Sequence, residues 1–340
     1  GKEALDLLKV LPENSSYNEN IKVDFPSILK HKISEEDAAK MINSVAKRFE
    51  TDYPEEFRCL YMKECSESGR NALKEKRVIT SYLAGKNNRA VILSEDEGTS
   101  VLLNGEDHVR IQVLCNGMDI QSCFKKANEI DDYIDAHFDY AFDEKYGYKT
   151  TFPTNTGTGM KAGYTLHLPS LSDARRLNDI SAELGRFGLK FRTVYGDGQN
   201  GYGNLYQIST QKTLGQDERE VIKDLDDIVL QIVNQEKEQR EHFYKKDKIQ
   251  MDDEIYKSYG VLKYARKLSL KDSMVLISEL MTGVSLGVLQ FAHNGRYNIN
   301  ELIMDIQPAV LRQNSGKAMS VAETDVLRAE YIRKYLPEII

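Results

Sequence analysis

The sequence predicts an α+β fold, a mainly antiparallel sheet flanked by helices and followed by an all-α C-terminal region. Three observations lead there. Between residues 89 and 114, three short apolar runs (89–94, 99–103 and 108–114) are joined by brief polar connections that suit antiparallel neighbours. Further strand-like runs at 164–168, 189–195 and 205–210 are interleaved with amphipathic helical patterns, yet hairpins outnumber crossover units. From residue 217 to the C-terminus the apolar residues keep helical spacing.

Taken in order, residues 1–32 are weakly patterned, with Leu5, Leu7, Leu8 and Leu11 spaced for a short amphipathic turn. Ser34 followed by Glu35, Glu36 and Asp37 opens a helix carrying Ala38, Met41, Ile42, Val45 and Phe49 inward. Residues 57–63 and 77–83 read as strands around a polar turn. After the three central strands a helix places Ile120, Cys123, Phe124, Ala127, Ile130 and Ile134 on one face. A helix from about residue 170 turns Leu171, Ala174, Leu177, Ile180, Leu184 and Phe187 inward. A long helix from Asp217 buries Val221, Leu225, Ile228, Val229, Ile232 and Val233, and the polar run 235–248 is expected in solvent. Helices near 252–267, 270–290, 298–312 and 320–336 complete the chain.

At 340 residues two domains are expected, with the boundary near 248: a segment 1–32, a sheet-bearing domain 33–248 and a helical domain 249–340. The net charge of -7 argues against a nonspecific nucleic-acid binder. No apolar run reaches the ~18 residues that span a membrane, and no secretory signal opens the chain. The four cysteines lack zinc or redox spacing. They are expected as reduced, cytoplasmic thiols, with Cys115 and Cys123 in the core.

The most informative stretch runs from Asn104 to Leu114. A strand starting near Glu106 would project Glu106, His108 and Arg110 from one face. Lys161, Arg192 and Asp197 add charges at other turn and strand positions. Arginines converging from separate strands suit a polyphosphate, because the guanidinium fork bonds two oxygens and keeps its charge. Surface salt bridges are the bland alternative. The run from Gly196 to Gly201 matches G-x-G-x-x-G, but that fingerprint needs a helix behind it, and a strand is expected at 205–210. The P-loop and the H-R-D and D-F-G kinase motifs are absent, as is metal-ligand spacing of His or Cys.

Asn104 to Arg110 resembles the N-E-E-D-H-x-R signature of guanidino kinases. Residues 153–159 resemble that family's C-P-T-N-x-G-T-G loop, and 192–197 with 203–209 resemble its R-G-x-x-G-E and G-N-x-Y-Q-I-S segments. Tyr259 to Leu262, Gln307-Pro308 and Thr324 to Ala329 look like the C-terminal domain of the bacterial protein arginine kinase branch. The resemblance covers nearly everything from about residue 33.

It implies phosphoryl transfer from ATP, with magnesium, to arginine side chains exposed on proteins, in a cytoplasmic quality-control setting. Glu106 would orient the acceptor guanidinium and take its proton, with Asp197 as the second carboxylate. Arg110, Lys161, Ala162, Gly163, Tyr164, Thr165, Arg192, Thr193, Val194, Tyr195, Gly196, Asp197 and Tyr82 would form the ATP site. Asp325 and Arg328 would bracket phosphoarginine. The family likeness also implies an activator or adaptor protein and a homodimer, and no nucleic-acid or membrane partner.

The departures are specific. The family's N-terminal S-x-R-x-R is missing, leaving Lys22, Lys30 and Lys32 as point charges nearby. Lys161 stands at an arginine position, Phe152 replaces a reactive cysteine, and Tyr82 falls near a nucleotide-contacting histidine. Asp197 is one methylene shorter than the family's glutamate, and Thr324 replaces the leading arginine of R-D-x-x-R-A. Each lost donor at a charge-stabilising site costs about 3 kcal/mol of transition-state stabilisation. The second reading is therefore a catalytically silenced relative, a nucleotide- or phosphoarginine-binding regulatory subunit.

Overall fold

A computed structural model describes the backbone of residues 4–11 and residues 34–152, 155–196, 201–211, 213–215, 217–292 and 299–340 in full. Asp197, Lys22, Lys30 and Lys32 lie outside the described residues. The chain divides into two compact units, one of residues 4–164 and 209–227, the other of 165–208 and 228–340.

The first unit opens with β1 (Ala4–Leu11), α1 (Glu35–Asp52), β2 (Phe57–Tyr61), α2 (Glu67–Glu75) and α3 (Ser81–Ala84). It continues through β3 (Ala90–Ser94), β4 (Thr99–Leu103), β5 (Val109–Asn116) and α4 (Ile120–Asp135). The two-residue strands β6 (Phe142–Asp143) and β7 (Gly147–Tyr148) make a hairpin before β8 (Met160–His167). Strands β2, β3, β4, β5 and β1 are neighbours in that order, each pair antiparallel. All residues of β3 and β4 are buried, which explains their continuous apolar runs. Ser34 caps α1 by accepting the Asp37 N–H at 3.0 Å, and Met41, Ile42, Val45 and Phe49 turn inward as their spacing predicts.

The second unit holds α5 (Pro169–Asp173), α6 (Leu177–Arg186), β9 (Leu189–Thr193) and most of β10 (Leu205–Thr210). Most of α7 (Glu218–Lys246) follows, then α8 (Lys248–Tyr264), α9 (Leu270–Leu286), α10 (Ile299–Asp305), α11 (Pro308–Ser315) and α12 (Val321–Tyr335). Ile255, Leu262, Ile277, Leu280, Leu302, Ile306, Ala329 and Ile332 share its core. The α+β class with an antiparallel sheet and a helical C-terminal region is as expected from sequence.

Several elements differ from expectation. Leu5 to Leu11 belong to a strand, not a helical turn, because β5 offers them a ladder from Leu5↔Cys115 to Leu11↔Val109. Residues 77–83 are no strand. Arg77 has a positive φ of 62°, and Thr80 then caps α3. Ser66 caps α2 where a polar turn is expected. The helix from residue 170 breaks into α5 and α6 at Arg175, whose φ is 58°, and Phe187 beyond it is exposed. Pro308 splits the pattern 298–312, since proline opens α11 at its first turn. Cys115 and Cys123 form a disulfide between the end of β5 and the first turn of α4, with Cα atoms 6.2 Å apart, instead of two reduced thiols.

The polar run 235–248 also departs from the expected solvated surface. Glu236 and Arg240 are buried. The Glu236 carboxylate accepts the Ser170 and Leu171 N–H groups at 3.1 and 2.9 Å, together with Arg240 Nη2 at 2.8 Å. Helix α5 lacks a side-chain cap of its own, and Glu236 satisfies its first N–H groups instead.

Candidate active site

The hairpin between β4 and β5 carries the first group of candidates. Asn104 has a φ of 58°, and its N–H donates to the His108 carbonyl at 2.7 Å, closing the turn. The strand therefore starts at Val109, and Glu106 sits in the turn instead of on a strand face with His108 and Arg110. His108 is buried among the strands, while Glu106 is half-buried.

Glu106 is held at both ends. Thr80 Oγ1 donates to its Oε2 at 3.2 Å, and Thr151 Oγ1 donates to its carbonyl at 2.7 Å. Its neighbour Asp107, 3% exposed, accepts the Thr151 N–H at 2.7 Å and Asn155 Nδ2 at 3.5 Å. Burial pushes the Asp107 carboxyl up, opposed by the Thr151 and Asn155 hydrogen bonds and the Arg110 charge. Asn155 in turn accepts from Lys161 Nζ. A chain of hydrogen bonds thus joins Glu106 and Asp107 to Thr151, Asn155 and Lys161 within one unit.

Arg110 lies on β5, half-buried, and its Nε is buried with no hydrogen-bond partner among the described residues. A buried guanidinium N–H without an acceptor is costly, and an incoming anion would satisfy it. Of the other candidates on β8, Ala162, Gly163, Tyr164 and Thr165 are buried. The Ala162 N–H donates to Thr210 Oγ1 at 3.1 Å, and the Tyr164 hydroxyl bonds Asp226. Tyr82 is exposed and lies over the Arg89 guanidinium, 3.7 Å from its ring centre.

Gly157, in the glycine-rich loop, has a φ of 115°, and a Cβ there would strike the Thr213 and Leu214 backbone. Its carbonyl accepts the Tyr148 N–H at 2.9 Å. Close approach of three backbone segments accounts for this glycine.

The second unit holds the remaining candidates. Arg192 on β9 is exposed, and its Nε donates to Gln207 Oε1 on β10 at 2.7 Å. The Thr193 hydroxyl donates to the Gly196 carbonyl at 3.4 Å, the Val194 N–H donates to the Leu205 carbonyl at 2.9 Å, and Tyr195 stacks on Tyr202. The strand expected after the glycine run is present as β10, so no helix opens there for a dinucleotide phosphate. On α12, Arg328 is 1% exposed. It donates to the Ile306 and Leu268 carbonyls, each at 2.9 Å, and to Asp325 Oδ1 at 2.6 Å. Arg328 is buried and Asp325 half-buried, and the bonds of Arg328 knit α12 to its neighbours.

Asp107 and Asn155 stand inside motifs visible in the sequence and Thr151 just before one, though without an assigned role there. Thr80 lies in a stretch misread as a strand, and only its capping position could signal it.

Burial also moves His108 down to about 4 from an ordinary 6.5. The unfolded chain therefore binds a proton that the native state refuses between those values. Stability is expected to fall as pH drops from 6.5 to 4, by about 3 kcal/mol from this residue. Denaturant titrations of the wild type and His108→Gln across that window check this. An unchanged slope in the variant would assign the acid sensitivity elsewhere, for instance to His167, which burial also pushes well down.

Comparison with known families places the ATP:guanido phosphotransferase C-terminal catalytic domain on residues 39–239 and the Protein-arginine kinase McsB C-terminal domain on residues 248–339. The chain is 37% identical over 309 residues to a protein-arginine kinase of Clostridium kluyveri, covering 90% of this chain and 89% of that one. It is also 37% identical over 301 residues to a protein-arginine kinase of Bacillus subtilis, covering 86% and 82%. Among solved structures, lombricine kinase superposes with a TM-score of 0.57 at 17% identity, covering 69% of this chain and 66% of that one. The duplicated taurocyamine kinase of Schistosoma mansoni gives the same TM-score and identity, with 68% of this chain spanning 32% of that one. These two likenesses show the fold.

Proposed function

We propose that this chain, which belongs to the ATP:guanido phosphotransferase family, is a protein-arginine kinase that transfers the γ-phosphoryl group of ATP to arginine side chains of proteins. The observation that carries the reading is the Glu106 turn. An acidic side chain is fixed from both ends, and on the strand that follows the turn Arg110 buries an Nε with no hydrogen-bond partner among the described residues.

Glu106 aligns the acceptor guanidinium and accepts its proton as the nitrogen attacks phosphorus, because a protonated guanidinium has no lone pair to give. The N–P bond forms, the P–O bond to ADP breaks, and ADP leaves with the bond's electron pair. Arg110, Lys161 and Arg192 are the proposed phosphate contacts, the segments 161–165 and 192–197 and Tyr82 the further nucleotide contacts, and Asp197 a second carboxylate. Arg110 fits this role because its buried Nε lacks an acceptor among the described residues.

Among the described residues no group of three or more His, Cys, Asp or Glu side chains forms a metal site. Magnesium, when bound with the nucleotide, supplies charge neutralisation at the phosphates, and no protein ligand is assigned to it. Asp325 and Arg328 belong to the proposal as a phosphoarginine-reading element, one that must draw on a guanidinium already bonded to two carbonyls. No helix among the described residues is long and apolar enough to cross a membrane. A cytoplasmic quality-control role, an adaptor and a homodimer extend the same proposal.

The test is transfer of label from γ-³²P-ATP, with magnesium, to an arginine-rich protein. Label that is lost in acid and absent when the arginines are replaced by lysine supports the reading. No transfer at saturating nucleotide overturns it in favour of a silenced relative.

A further inference from the structure

We propose that Thr80 is a positioning residue for Glu106, an inference that rests on Glu106 serving as the acceptor carboxylate. The Thr80 hydroxyl has two partners. Its oxygen accepts the Leu83 N–H at 3.1 Å, capping α3, and its proton goes to Glu106 Oε2 at 3.2 Å. One hydroxyl offers one proton and two lone pairs, so the two bonds use different halves of the group and fix its rotor. Capping directs the lone pair toward the helix and leaves the proton for the carboxylate.

The segment that carries Thr80 is itself fastened down. Arg89, buried at the start of β3, lies under the Tyr82 ring and donates to the Tyr82 carbonyl, which holds α3 against the sheet. Arg89 also feels the Glu106 charge. Meanwhile Thr151 grips the Glu106 carbonyl from another segment. A glutamate in a turn would otherwise sample several rotamers, and only some of them present the carboxylate to an incoming guanidinium.

Capping and positioning separate in one substitution. Thr80→Asp keeps a preferred capping acceptor for α3 and sets a second carboxylate against Glu106, so the pair repels or shares a proton and Glu106 loses its fixed neutral donor. The expected result is a kcat lowered roughly ten- to hundredfold, the range of a lost hydrogen bond to a charged group, with KM for ATP held and the pH profile of kcat moved. Thr80→Ser, which keeps the hydroxyl, recovers most of the turnover.

If Thr80→Asp turns over like the wild type, or Thr80→Ser is as slow as Thr80→Asp, the positioning role is overturned and Thr80 is only a cap. If the wild type itself transfers no phosphoryl group to arginine, the parent function fails, and this inference with it. Activity in the wild type tells the two failures apart.

Discussion

Glu106→Gln is expected to lower phosphoryl transfer by about 10²- to 10⁴-fold, the usual worth of a positioned general base. The substitution keeps the side chain's length and leaves an oxygen to accept from Thr80, while Thr151 still holds the backbone carbonyl. What disappears is the group proposed to take the guanidinium proton. The loss should fall on kcat, with KM for ATP and the melting temperature close to wild type, because the proposed phosphate contacts Arg110, Arg192 and Lys161 are untouched. Steady-state kinetics with varied ATP and acceptor, together with a thermal melt, make the check. A glutamine variant retaining a tenth or more of wild-type kcat would remove Glu106 from the chemistry.

Glu236→Ala is the stability counterpart. Both Glu236 and Arg240 are about 3% exposed at the side chain, and Glu236 also accepts two N–H groups at the start of α5. Alanine strands a buried guanidinium and leaves the Ser170 and Leu171 donors unsatisfied. Removing one partner of a buried ion pair costs about 3–5 kcal/mol. Urea unfolding should register that loss. The double variant Glu236→Leu with Arg240→Met should be less destabilised than Glu236→Ala, since no charge is left without a partner. A single variant losing under about 1 kcal/mol would contradict the burial argument.

The β3–β4–β5 meander is legible in the sequence because wholly buried strands write themselves as apolar runs, and short polar joints leave no room for crossovers. The region 77–83 is illegible for the opposite reason. Its apolar residues Val78, Ile79 and Leu83 are buried, but a positive φ at Arg77 and a cap at Thr80 reshape them into a turn and a helix. Glu236 and Arg240 read as surface because each alone is a surface residue type, and their burial rests on their pairing across one helical turn and on the Ser170 and Leu171 N–H groups that Glu236 accepts.

At the site, Glu106, Arg110 and Arg192 can be picked out from motif and charge. The partners that fix them, Thr80, Thr151 and Gln207, are common polar residues whose role depends on segments far apart in the chain. Arg328 shows the reverse case. Its motif suggests a ligand contact, and nothing in that motif foretells the bonds its guanidinium also makes to the carbonyls of Ile306 and Leu268.

Asp107 couples the hairpin to residues 151 and 155 through bonds that owe nothing to nucleotide. A descendant of this chain could shed every phosphate-gripping cation and still carry that joint unaltered, because folding alone maintains it. Fold and turnover therefore rest on different side chains, the first on a concealed aspartate, the second on the cations proposed to meet nucleotide. Anyone sorting working enzymes from retired ones among such descendants should weigh the cations and disregard the joint.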